Sequence, residues 1–147
     1  MKSLPTPDLW QKILVPTDFS ACAESAIHAA AALHQKSGAE ILLLHVTEPA
    51  YQGLRVQTND LHAQMRHEAE SRLKKLAAEA FPNATSVRVL VKDGRPADVI
   101  CQAAAVEKAD AIIIPTHGHS GLKHALLGSV AEKVVRHAPC SVLVVRE

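Results

Sequence analysis

Aromatic residues are scarce in this 147-residue chain, at 3% of the total. A core of stacked rings is thereby excluded. It has to be built from Val, Ile, Leu and Ala, and an apolar content of 48% supplies enough of them to argue against disorder. Charge of one sign is also missing: 16 basic residues stand against 15 acidic, a formal net charge of +1. That balance leaves no electrostatic footprint for nucleic acid or another polyanion. The three cysteines, Cys22, Cys101 and Cys140, are far apart and form no Cys-x-x-Cys pair. This disfavours a disulfide framework and fits a reducing cytosol, with the thiols expected as small buried hydrophobes. No run approaches the ~18 uninterrupted apolar residues of a membrane span. The opening MKSLPTPDLWQK has no apolar stretch that could serve a secretory leader. Repeats, low-complexity segments and linkers are absent from the sequence too. The expectation is one soluble, cytoplasmic domain over 1–147, with 1–11 as an N-terminal extension.

What is present is an alternation of short apolar runs and longer helical patterns. Ile13 to Pro16, Ile41 to Val46, Ser86 to Val91, Ala111 to Ile114 and Ser141 to Val145 read as strands. The nearly continuous run of the second suggests burial on both faces, as in a parallel sheet. Ser20 is placed to cap a first helix that Gly38 ends, with Cys22, Ala26, Ala29, Ala30 and Leu33 as its inner face. A second helix, from about Asn59 to Ala80, carries Leu61, Met65, Ala69, Leu73, Leu76 and Ala80 on one face, which predicts core packing. A third helix starts at Gly94-Arg95-Pro96 and runs to about Lys108. Ser129 to Glu132 matches a capping box, so Ser129 is the expected N-cap of a fourth helix reaching about His137. The order βαβαβαβαβ predicts an α/β fold, an open five-stranded parallel sheet with helices on both faces. Ligands of such sheets bind at the carboxyl ends of the strands, where the strand order reverses.

The loops at those ends hold the candidate chemistry. Pro16-Thr17-Asp18 follows the first strand, and Asp18 is placed either to accept ribose hydroxyls or to serve the first helix N-terminus. After the fourth strand, Gly118-His119-Ser120-Gly121 and Gly128-Ser129 lead into a helix N-terminus. Side-chain-free backbone N–H groups beside a helix start are a means of holding phosphate. The spacing matches neither the Walker A nor the dinucleotide fingerprint, so the glycines serve equally as loop formers. His117 and His119 flank Gly118 and can help position a phosphate. With His124 they form a histidine cluster, but a metal site needs three or four converging ligands and supporting contacts. His45, within LLLHV, reads as a satisfied sheet histidine.

From Lys12 to Val145 the sequence resembles a single-domain universal stress protein. The resemblance is carried by Ile13-Leu14-Val15-Pro16-Thr17-Asp18-Phe19-Ser20, by Leu43-Leu44-His45-Val46 and by the C-terminal block. Nucleotide-binding members of that family carry Gly-x2-Gly-x9-Gly-Ser/Thr after the fourth strand. Here Gly118 and Gly128-Ser129 match the second and third elements, and Pro115 replaces the first glycine. The resemblance implies a Rossmann-like sheet of order 3-2-1-4-5. It also implies Asp18 on a ribose, Val46 against an adenine, and Gly118, Gly128, Ser129 and the Val130 N–H around phosphates. Proline has no N–H and adds a ring, so Pro115 is expected to weaken contacts to the ribose or α-phosphate.

Two readings follow. The first is an ATP-binding regulatory homodimer, with Mg²⁺ or Mn²⁺ accompanying ATP and the chains pairing through Ser141 to Val145. The sequence shows no evident general base, so hydrolysis is expected to be slow at most. The second is a protein-interaction module of the same fold that binds no nucleotide, and Pro115 is the feature in its favour.

Overall fold

A computed structural model describes residues 10–49, 58–118 and 127–146. Strands β1 (Lys12–Pro16), β2 (Glu40–Thr47), β3 (Val87–Asp93), β4 (Ala111–Pro115) and β5 (Ser141–Val145) alternate with helices α1 (Ala21–Ser37), α2 (Thr58–Ala80), α3 (Pro96–Val106) and α4 (Ser129–His137). All neighbouring strands are parallel, in the order β3-β2-β1-β4-β5. Alternate residues of the central strands feed two cores. Ile13, Val15, Ile41, Leu43 and Ile113 meet Ala26, Ile27 and Leu73 on one side of the sheet. Leu14, Leu42, Leu44, Ile112 and Ile114 meet α3 and α4 residues such as Ile100 and Val134 on the other. Burial on both faces is why these strands are apolar without a break.

Helix α1 begins and ends where its punctuation residues dictate. Ser20 Oγ accepts the Ala23 N–H, and Gly38 takes the left-handed conformation (φ 71°) while its N–H returns to the His34 carbonyl. The inner face is shifted from the expected one. Ala23, Ala26, Ile27 and Ala30 are buried, while Cys22, Ala29 and Leu33 are half-buried flanks. Alanines occur all round this helix, so its apolar pattern does not fix its phase.

The expectation that Leu61 and Met65 pack in the core is overturned. They are 56% and 42% exposed, while Ala69 and Leu73 on the same stripe are buried. Length explains this. Twenty-three helical residues span about 34 Å, whereas the eight residues of β2 span about 26 Å. The first turns of α2 therefore overshoot the strand ends. They are tied back by polar contacts: Asp93, at the end of β3, accepts from Thr47 Oγ1 and Arg66 Nη1 and lies 3.1 Å from His62 Nε2.

Desolvation raises the Asp93 carboxyl, but hydrogen bonds from Thr47 and His62 and the Arg66 charge outweigh it and hold the group below its ordinary value of 3.8. A depressed carboxyl stabilises the fold above its unfolded value, and that contribution disappears as pH falls through the lower, folded one. Asp93→Asn is therefore expected to cost about 0.5–1 kcal/mol at pH 7, a figure kept small by solvent screening. The difference should vanish well below pH 3.8. Urea unfolding of both proteins at the two pH values checks this, and a pH-independent difference would reject it.

The ladder between the two central strands stops early. Pairing of β1 with β2 and of β4 with β5 covers five residues each, but β1 and β4 pair only at Ile13↔Ala111 and Leu14↔Ile112. Thr17 N donates to Leu44 O on the β2 side and Thr116 N to Val145 O on the β5 side. By alternation the preceding residues, Pro16 and Pro115, turn their nitrogens toward each other across the gap. Neither has an N–H, so the next two ladder bonds cannot form. A crevice opens there, at the switch point of the strand order.

Candidate functional site

The loop after β1 is held by its own side chains. Thr17 Oγ1 accepts the Phe19 N–H (3.0 Å) and Asp18 Oδ1 accepts the Ser20 N–H (2.9 Å). Phe19 sits in the left-handed region at φ 62°, which costs a residue with a side chain about 1–2 kcal/mol. The turn aims the second carboxylate oxygen of Asp18 at the loop after β4. A Cβ placed on Gly118 would lie 2.7 Å from Asp18 Oδ2. Glycine at 118 is what lets the two loops meet.

The return from that loop is equally tight. Gly128 N donates to Thr116 O at 2.7 Å, and a Cβ on Gly128 would lie 3.0 Å from that oxygen and 3.4 Å from His117 Cα. Gly128, not Ser129, is the N-cap of α4, with φ −69° and ψ 160°. The expected capping box is thereby overturned. Glu132 N bonds the Gly128 carbonyl, which makes Ser129 the first helical residue, where its hydroxyl cannot cap. Glu132 pairs with Arg136 instead of reaching back. Glycine has no side chain to take the first helical donors, so the N–H groups of Ser129, Val130 and Ala131 have no helical acceptor.

These loops surround a cavity of about 880 Å³ at the carboxyl end of the sheet. Pro16, Thr17, Asp18, Val46, Pro115, Gly118, Gly128, Ser129 and Val130 all line it. His119 and Gly121 lie outside the described residues, as does His124. The Thr17 hydroxyl accepts the Phe19 N–H, and the Gly128 N–H is committed to Thr116 O and so does not face a ligand as a free donor. Sequence reasoning missed Pro96 and Ile100 of α3, Leu127, Glu48 and Glu132, which also line the cavity. The proline at the α3 start was visible, but only the tertiary packing of α3 brings it to this crevice. His45 is satisfied as expected, with Nδ1 2.8 Å from Thr17 O, and it also lines the cavity.

His117 lines the cavity as well, and the remaining candidates fall outside the site. Among the described residues no group of three His, Cys, Asp or Glu side chains could hold a metal ion. Cys22, Cys101 and Cys140 are not in disulfides with one another, and they are half-buried rather than buried. Desolvation raises the Cys101 and Cys140 thiols, each further raised by a neighbouring acidic residue. No helix among the described residues is long and apolar enough to cross a membrane.

The fold and this crevice define an open α/β protein with a ligand-sized cavity at its switch point. Residues 9–146 match the model of the universal stress protein family, and the chain belongs to that family. A universal stress protein of Thermus aquaticus is 36% identical over 140 residues, covering 94% of this chain and 100% of that one. Universal stress protein MJ0577 of Methanocaldococcus jannaschii is 31% identical over 155 residues, covering 94% and 96%. The solved structure of MJ0577 superposes with a TM-score of 0.84 at 33% identity over 95% of this chain and 97% of that one. A universal stress protein crystallised in complex with cAMP shares the fold, with a TM-score of 0.70 at 24% identity over 93% and 97%.

Proposed function

We propose that this protein binds ATP in the β1–β4 crevice and acts as a regulatory homodimer rather than as an efficient enzyme. One observation carries the reading. The Asp18 carboxylate and the free N–H groups of Ser129, Val130 and Ala131 line one cavity, with an apolar wall of Val46, Ile100 and Leu127 beside them. A carboxylate suits ribose hydroxyls, helix N–H groups suit phosphate, and the apolar wall suits a base. The cAMP complex supports the reading only through the shared fold.

Charge bears on the cofactor. The described lining holds Asp18, Glu48 and Glu132 but no lysine or arginine. Backbone N–H groups at the start of α4 are then the described partners offered to phosphate. Bound ATP would bring a hard cation such as Mg²⁺ or Mn²⁺ on its own phosphate oxygens. Freshly purified protein is expected to release adenine nucleotide on denaturation, read by mass and base absorbance. Calorimetry should show ATP binding that weakens when EDTA removes the cation. Protein that neither carries nucleotide nor binds Mg-ATP would leave the interaction module as the answer.

Pro115 is the feature that favours that second reading. It lines the cavity with its donorless nitrogen toward β1. Pro115→Gly removes the ring and supplies an N–H in the crevice, while Pro16 still keeps the ladder from closing on its side. ATP binding should tighten, at a stability cost of about 0.5–1 kcal/mol from the more flexible unfolded chain. Calorimetry and denaturant unfolding read the two effects. Unchanged or weaker binding would show that the ring is accommodated.

A further inference from the structure

We propose that His45 is a positioning residue of this site, acting on Asp18 through Thr17 and Phe19; the inference rests on the nucleotide reading above. A carbonyl oxygen only accepts, so the 2.8 Å contact from His45 Nδ1 to Thr17 O requires a proton on Nδ1. That bond clamps the peptide immediately before Asp18. The His45 ring also lies 4.6 Å from the Phe19 ring, tilted by 35°. Arg72 of α2 places its guanidinium carbon 4.0 Å from the Phe19 centroid. Phe19 is thus held by contacts to an imidazole and a cation in a backbone conformation it would otherwise leave.

Asp18 lies between the two residues so restrained. Its Oδ1 is fixed by Ser20 N, and its Oδ2 lies over Gly118. Loss of the clamp lets the turn relax and carries the carboxylate away from Gly118. His45 therefore tunes ribose recognition without touching the sugar.

The test compares ATP with 2′,3′-dideoxy-ATP, which lacks the hydroxyls assigned to Asp18. Asparagine can present a donor near the position of Nδ1, and phenylalanine keeps a ring against Phe19 without a donor. His45→Asn is expected to bind ATP within about threefold of the parent. His45→Phe should lose roughly tenfold for ATP, the effect of one hydrogen bond, and little for the dideoxy analogue. Adding it to Asp18→Ala should cost nothing further, because both act at one point. His45→Gln, whose donor lies further out, takes the place of His45→Phe if that variant does not fold. Equal losses for both nucleotides, or ATP binding like the parent, would overturn the inference. A crystal structure of the unliganded variant decides independently of binding: Asp18 Oδ2 should have left Gly118, and an unchanged turn would sink the proposal. A parent that binds no ATP rejects the nucleotide reading itself, and that structure then still decides whether His45 holds the turn.

Discussion

Asp18→Ala should weaken ATP binding by roughly 10- to 100-fold, the loss of about 1.5–3 kcal/mol of charge-assisted hydrogen bonding. The carboxylate has two duties that a pair of variants separates. One oxygen accepts the Ser20 N–H and shapes the turn, so Asp18→Ala also costs some stability. Asp18→Asn keeps an acceptor for that N–H and should recover most of the stability but not the affinity. Gly118→Ala attacks the same contact from the other side. Its new methyl would fall 2.7 Å from Asp18 Oδ2, and a side-chain end can move where a backbone cannot. That variant should fold normally and bind poorly. Calorimetry with thermal unfolding reads both effects. A folded Asp18→Ala protein with parental affinity would remove Asp18 from the site.

The second large effect concerns assembly through β5. This strand is a sheet edge with no charged residue between Ser141 and Val145, the kind of edge that invites another strand. Thr116 N donates to Val145 O, so Val145 faces β4 and Val144 turns its N–H and carbonyl outward. An antiparallel copy of the same segment across a two-fold axis would satisfy those groups and close the assembly. Val144→Pro removes the outward donor once per chain, hence twice per dimer, and an edge position tolerates proline. The parent should sediment as a dimer at micromolar concentration. The variant should stay folded by circular dichroism while its dissociation constant rises about 10- to 100-fold. A monomeric parent rejects the dimer, and an undisturbed dimer of the variant rejects this mode of pairing.

Much of the architecture could be read from the sequence because the strands are buried on both faces. Ile41 to Val46 and Ala111 to Ile114 announce themselves as apolar runs whatever their neighbours do. The helices were less transparent for separate reasons. In α1 the alanines leave the buried side undetermined. In α2 the periodic face continues past the sheet that would cover it, so Leu61 and Met65 keep the pattern and lose the partner. The site divides the same way. Asp18, Gly118, Gly128 and Ser129 follow strand ends or precede a helix, so position in the chain points to them, whereas Val46, inside β2, is pointed to only by the family resemblance. Ser129 misled because its capping-box spacing is genuine, yet Gly128 reaches the cap conformation one residue earlier. Ile100, Leu127 and Glu48 come to the cavity through tertiary packing, and spacing carries no trace of that. The contact between His45 and Thr17 joins residues 28 apart in the chain, and it too becomes visible only once β1 and β2 are side by side.

The paired prolines at the ends of β1 and β4 bear on how fast a ligand can arrive. In a sheet whose central strands paired to their tips, an incoming molecule would have to break backbone hydrogen bonds before it could enter, and that opening would gate every encounter. Here the two bonds nearest the entrance are absent by covalent constitution, whether or not anything is bound. No strand has to part, and the entropy of holding the gap was lost when the chain folded. Association should then follow diffusion and charge rather than conformational opening, so differences in affinity among site variants should fall mainly on the dissociation rate.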